Sequence, residues 1–282
     1  GCAVADLAAP HRVPVVLITQ GTDTHGYLGY PIRRRKIVAA IKRSEAVICR
    51  SGDLARRLRE AGAEKERLNI IYNGVDTRDF RPRDRHEVRA RLGLVQEQPV
   101  LLFVGNYLPV KNPLMLIRSH AELNRRREGR GEPPARLVLI GDGPLRGEME
   151  STIAREGYRH MVDLRGREAP AEVARWMNAA DLLCLTSHNE GFPNVILEAM
   201  ASRLKVVSTD VGGISELVDR PERGMLAPAG NPDAYVHALE KTLADPSHLP
   251  PVADTHDGVD FSWRTAANQY TSILLTALQG RI

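Results

Sequence analysis

The chain is short of cysteine, of aromatic rings and of long apolar runs, and each shortage excludes something. Its three cysteines, Cys2, Cys49 and Cys184, are odd in number and far apart. That rules against a disulfide framework and favours buried thiols in a reducing compartment. An aromatic content of 5% leaves few rings for bases to stack on, and no recognition module appears, so no nucleic-acid partner is expected. No stretch approaches the roughly eighteen consecutive apolar residues of a membrane span. No Asp-x-Asp pair, His-Glu-x-x-His pattern or Cys/His cluster occurs, and no metal is expected. Gly-x-Gly-x-x-Gly and Walker-type loops are also missing, which argues against a dinucleotide oxidoreductase or an ATPase. No basic patch precedes an apolar core as in a secretion signal, and a cytoplasmic location is expected.

What is present describes an ordinary soluble protein: 282 residues, 43% hydrophobic and 26% charged, with a formal charge of +4 and pI near 9.1. The modest positive charge suits anionic ligands, phosphates or an acidic membrane surface. Strand-like and helix-like segments alternate, which predicts parallel sheets covered by helices. "VPVVLI", "AVIC" and "LNII" are the strands of a first half. Between them lie the basic stretch "RRRKIVAAIKRS" and "SGDLARRLREAG", the latter with Ser51 as cap and Gly62 as stop. Three strands are few for such a sheet, so this half is expected to be incomplete. A turn-rich link near Asn73 to Arg85 leads to a second series, "VLLFV", "LVLI", "MVDL", "LLCL", "KVVS" and "MLAP". Its runs lack polar alternation, as strands buried on both faces do. Asn112–Pro113 and Asn231–Pro232 read as cap and first-turn pairs. The tail "FSWRTAANQYTSILLTAL" has helical spacing. The division expected is 1–76, 77–261 and a final helix in 262–282.

Polar and glycine-rich turns follow four strands: "VGN", "GDGP", "TSHNEGFPN" and "TDVGG". Open parallel sheets bind ligands at that edge, so these turns predict a cleft. Gly141 and Gly143 either let the main chain approach a nucleotide or form tight connections. At Glu190 the chain leaves a strand, turns at Gly191 and restarts as a helix with Pro193 at its first position. The amides of Phe192, Asn194 and Val195 would then face an oxyanion. Glu198, a turn further on, would accept hydrogen bonds from a vicinal diol such as a ribose, and Glu190 from hydroxyls of a second ring. Lys111 would neutralise a diphosphate as it leaves.

Those residues carry a resemblance. From "VPVVLITQGTD" through "LLFVGNYLPVKN" and "LVLIGDGPL" to "SHNEGFPNVILEAMASRLKVVSTDVGG", the chain resembles the retaining glycosyltransferases of family 4, the group 1 glycosyltransferases. The resemblance implies the GT-B fold: α/β, two Rossmann-like parallel-sheet domains with a cleft between them, the N-terminal one incomplete. It implies a hexosyltransferase that moves a sugar from a nucleotide-diphosphate sugar to an acceptor hydroxyl, with retention and with no cofactor required. Glu198 matches the ribose-binding glutamate, and Glu190 the one contacting the transferred sugar. Gly191, Phe192, Pro193, Asn194 and Val195 match the diphosphate segment, Lys111 the phosphate-facing lysine, and Gly105 and Asn106 the same first loop. Gly141 and Gly143 match a second donor loop, and Arg165 lies where the base is contacted. Gln20, Gly21 and Asp23 match the acceptor side. The acceptor implied is a saccharide or lipid-linked saccharide, as in polysaccharide biosynthesis.

The chain also departs from the family. Asn106 stands where many members have an arginine, and Gln20 where many have a histidine. The opening strands and glycine-rich loop of the N-terminal half are missing, so an N-terminally truncated member is expected, binding donor but transferring little. Two other readings are a donor-binding scaffold that has lost catalysis and a nucleotide-sugar epimerase or hydrolase. The basic helix "PIRRRKIVAAIKRS" reads either as a peripheral contact with anionic lipid at the inner face of a membrane or as a solvated helix packed on a sheet.

Overall fold

A computed structural model describes residues 2–11, 13–245, 255–256 and 259–280, with backbone alone at residues 9, 22, 23, 255–256 and 259–260. Helix α1 (Cys2–Ala8) precedes a small sheet of β1 (Val16–Thr19), β2 (Ala46–Cys49) and β3 (Leu68–Ile70), in that spatial order and parallel throughout. Helices α2 (Pro31–Lys42) and α3 (Gly52–Glu60) make its crossovers. Ser51 caps α3 by accepting from the amide of Leu54, as its residue type predicts. Only β2 is buried along its length, because it alone has a strand on each side. The flanking strands leave Ile18 and Ile70 nearly half exposed.

Helix α4 (Arg85–Arg91) follows the link and leads into a six-stranded parallel sheet. Its strands are β4 (Val100–Val104), β5 (Arg136–Ile140), β6 (Val162–Leu164), β7 (Leu182–Leu185), β8 (Lys205–Thr209) and β9 (Gly224–Ala227). Their order is β6-β5-β4-β7-β8-β9. Helices α5 (Pro113–Gly129), α6 (Arg146–Glu156), α7 (Pro170–Ala179), α8 (Asn194–Ala201) and α9 (Pro232–Ala244) cover it. The unbroken apolar runs become strands closed to water: Leu101, Leu102, Phe103, Leu183, Cys184, Val206 and Val207 are all at 0% exposure. Asn231 caps α9 through the amide of Ala234, as its Asn-Pro pair predicts.

Asn112 does not cap α5 as expected. It sits in the left-handed region at φ 47° and its side chain makes no cap bond; a short polar side chain tolerates that turn. Helices α4 and α6 were not anticipated, because their arginine- and glutamate-rich sequences carry little apolar periodicity. Tertiary anchors supply what periodicity does not. Asp84 caps α4 on the amide of Glu87. Arg89, 1% exposed, donates to the carbonyls of Ala179 and Gln98 and pairs with Asp181 at 2.7 Å.

The last helix, α10 (Trp263–Leu278), returns to the small sheet. Ser262 caps it on the amide of Thr265. Ala266 is buried with Ile48 and Ile71, and Tyr270 and Ile273 pack alongside. The outgoing and returning crossings run side by side, with the Val75 amide donating to the Phe261 carbonyl at 2.9 Å. Among the described residues no helix is long and apolar enough to cross a membrane.

His120, within α5, is a titratable group held wholly inside the core. Its Nε2–H donates to the Ala135 carbonyl at 2.8 Å, and Nδ1 is buried without a partner. Burial pushes its pKa down from 6.5 to about 4. Below pH 6.5 the unfolded chain therefore takes up a proton that the folded chain refuses. Stability is full above that pH and falls as pH drops, by about 3 kcal/mol near pH 4. Urea unfolding at neutral and acid pH should show this loss in the wild type and a smaller one in His120→Gln.

Candidate functional site

β4 and β7 are neighbours in space although β5 and β6 lie between them in the chain. The connections leave in opposite directions from that pair, and a crevice opens beyond the carboxyl ends of the strands. The loop after β4 carries Lys111, and the loop after β7 carries Glu190. Their backbones are tied together: Thr186 Oγ1 donates to the Asn112 carbonyl at 2.8 Å, and the His188 amide to the Val110 carbonyl at 2.8 Å.

The two side chains meet. Lys111 Nζ lies 2.6 and 2.7 Å from the two oxygens of Glu190, which is 7% exposed, and Ser187 Oγ donates to Glu190 Oε1 at 2.7 Å. Sequence reasoning assigned Lys111 and Glu190 to different parts of a ligand; here each is also the other's partner. It overlooked Ser187 altogether. The available signal was a small hydroxyl three residues before a glutamate in a strand-end loop.

Helix α8 begins one residue later than expected, at Asn194, with Pro193 before it rather than inside it. The Ile196 amide donates to the Pro193 carbonyl at 3.1 Å. The amides of Phe192, Asn194 and Val195 have no acceptor among the described residues, so they remain available to an anion. Side chains here serve other ends. The Phe192 ring is buried against Tyr72, centroids 5.0 Å apart, and Asn194 accepts from Asn73, which accepts in turn from Arg50 at 2.8 Å.

Glu198 is half-buried and lines a cavity of about 320 Å³ with Val104, Glu168, Pro170, Val173 and Asn194. Burial raises its pKa, since a desolvated carboxylate without a hydrogen-bond partner is disfavoured. Glu190 does not line this cavity. Arg165 reaches the same region indirectly: it stacks over Trp176 at 4.9 Å and pairs with Glu168 at 3.0 Å.

The glycines of the second loop have a local explanation. A Cβ on Gly141 (φ +145°) would fall 1.9 Å from the Gly105 carbonyl oxygen, and one on Gly143 2.6 Å from that of Tyr107. Both glycines admit the β4 loop, so a tight connection is enough to require them. Gly105 itself would meet only the Phe103 ring at 3.4 Å, and Asn106 is exposed.

Loops of the small sheet close on this edge. The backbone of Gln20 and Gly21 presses on Gly191, whose Cβ would fall 2.8 Å from the Gln20 carbonyl oxygen. The Asp23 side chain lies outside the described residues. His25, almost fully buried, sits 3.2 Å from Asp53. Glu216, unanticipated, bridges the two sheets: its carboxylate accepts from the amides of Gly52 and Asp53, each at 2.8 Å, and from Tyr72 Oη at 3.1 Å. Burial and that carboxylate push the Tyr72 hydroxyl up to about 12.

The chain is similar to known proteins in sequence and in fold. Residues 84–253 match the family described as glycosyl transferases group 1, and residues 1–79 match Glycosyltransferase Family 4. D-inositol 3-phosphate glycosyltransferases of Rhodococcus erythropolis and Nocardia farcinica are 31% and 33% identical, over 89% and 74% of this chain. The chain spans 60% and 47% of their lengths, about half of the curated relatives it matches. Among solved structures, Anabaena HepE in complex with UDP has a TM-score of 0.84 at 23% identity, covering 98% of this chain and 76% of that one. Sucrose-phosphate synthase of Thermosynechococcus elongatus has 0.78 at 22%, covering 94% and 68%.

Gly141→Ala should lower stability by about 2 kcal/mol or more, because both its dihedral and the Gly105 carbonyl oppose a side chain. Gly105→Ala should cost less than about 1 kcal/mol. Thermal unfolding of the two variants distinguishes a loop-packing role from a shared one.

Proposed function

The chain belongs to the group 1 glycosyl transferases and has their GT-B fold, and from that premise we propose that it takes part in moving a sugar from a nucleotide-diphosphate sugar to an acceptor hydroxyl, with retention. The observation that carries the reading is the meeting of Lys111 and Glu190 at the strand reversal, two residues before the amides that lead into α8. In such a reaction the bond between the anomeric carbon and the phosphate oxygen breaks, and negative charge grows on the diphosphate. Lys111 and the amides of Phe192, Asn194 and Val195 stabilise that charge. Positive charge grows on the sugar ring. The acceptor oxygen then bonds to the anomeric carbon from the face the leaving group vacates, and its proton goes to the departing phosphate oxygen. Glu190 holds sugar hydroxyls, and Glu198, in its cavity, holds the ribose diol. Gln20 and Gly21, pressed on Gly191, form the acceptor side.

The acceptor proposed is a hydroxyl of a saccharide or a lipid-linked saccharide. The names of the curated relatives make inositol phosphate a further member of the panel to test. A peripheral membrane contact is proposed for α2. Arg33, Arg35 and Lys36 are exposed there, beside Tyr30 and Ile32 at 60% and 73% exposure. Arg33 stacks on Tyr27 at 4.4 Å and on Tyr30 at 5.1 Å, aromatic and cationic groups suited to a lipid headgroup layer.

Calorimetry with a nucleotide-sugar panel, followed by product analysis, tests the reading. Binding with no turnover on any acceptor would favour a donor-binding scaffold, and no binding at all would refute the proposal. Glu198→Ala should weaken donor binding while Lys111→Ala chiefly slows transfer, by roughly a hundredfold for a loss of about 3 kcal/mol. Donor affinity should fall as pH drops toward the raised pKa of Glu198, with that dependence lost in Glu198→Gln. Phosphatidylglycerol vesicles should retain the protein at low salt and retain less of an Arg35→Glu, Lys36→Glu variant. Equal retention of the two would leave α2 a solvated helix.

A further inference from the structure

We propose that Ser187 is a positioning residue that fixes the plane of the Glu190 carboxylate, and with it the direction from which the donor's sugar can meet that carboxylate, an inference that rests on the reading above. Ser187 has 0% exposure and directs its hydroxyl at Glu190 Oε1, 2.7 Å away. Lys111 Nζ occupies the same oxygen at 2.6 Å. A carboxylate oxygen offers about two acceptor positions, so Oε1 is filled. Among the described residues Oε2 accepts from Lys111 alone, at 2.7 Å, and keeps one position open. A sugar hydroxyl therefore donates to Oε2. The ammonium of Lys111 carries three hydrogens, which leaves one for a phosphate oxygen while the pair stays intact.

The pair is clamped from the β8 side. Thr209 Oγ1 donates to the Ser187 carbonyl at 2.6 Å and fixes the serine backbone. The Gly212 backbone lies so close under Glu190 that a Cβ there would fall 1.7 Å from the Glu190 carbonyl oxygen. With the backbone held at both residues and the carboxylate gripped by Lys111, the softest freedom left is rotation of the carboxylate about its last bond. That torsion is broad, and the serine hydroxyl narrows it. Without the hydroxyl, the carboxylate plane swings about that bond beneath Lys111, and the sugar loses an acceptor of defined direction. The phosphates and the ribose, held elsewhere, are unaffected.

The test separates sugar from nucleotide. Calorimetry compares UDP with UDP-glucose and GDP with GDP-mannose, using whichever pair the wild type binds. Ser187→Ala should weaken the sugar nucleotide roughly tenfold and the free nucleotide less than about twofold. Ser187→Thr, which keeps a hydroxyl, should restore the sugar nucleotide, and the effects of Ser187→Ala and Glu190→Gln should not add. Equal losses for both ligands, or no loss for either, would overturn the positioning role while leaving the donor site standing. A wild type that binds none of the four probes would instead overturn the donor reading, and this inference with it.

Discussion

A carboxylate at 7% exposure survives only beside a cation and hydrogen-bond donors, and Glu190 obtains both from elements far apart in the chain. An isolated buried charge costs several kcal/mol. Glu190 is relieved of that by Lys111, from the loop after β4, and by Ser187, at the end of β7. The order of the six strands makes this possible, since only the reversal between β4 and β7 puts those two loops edge to edge. This edge of the sheet is thus shaped by how a buried charge is accommodated.

Close backbone approach is the second requirement. Gly141 and Gly143 admit the β4 loop, and Gly191 admits the Gln20–Gly21 turn of the other sheet. A side chain at any of these positions would lie inside van der Waals contact with a carbonyl oxygen. The glycines therefore hold three loops in register along one edge. The charged side chains of the candidate site along this edge are Lys111, Glu190 and Glu198.

The two sheets are joined by more than the link. Glu216 places a carboxylate on the first amides of α3, where unpaired donors and the helix dipole favour negative charge. Asn73 connects Arg50 of the small sheet with Asn194 at the start of α8. The helix α10 crosses back and buries Ala266 against Ile48 and Ile71. These contacts run through the same strip that carries the candidate site, so a change in the angle between the sheets would move Gln20 and Gly21 relative to Gly191.

Much of this was written in the residues. Apolar runs without polar alternation gave the buried strands, serine and asparagine at helix starts gave the caps at Ser51 and Asn231, and the spacing of Glu190 and Glu198 carried the family. These are local signals, readable because each depends on neighbours within about a turn. Helices α4 and α6 escaped because their anchors, such as Arg89 on Ala179 and Asp181, lie far away in sequence. The pairing of Lys111 with Glu190, the hydroxyl of Ser187 behind it and the reach of Glu216 between sheets were decided only by the tertiary structure. Each joins residues that linear order keeps apart, or chooses among rotamers that the sequence leaves equivalent, and the choice is made by burial and by which strands lie side by side.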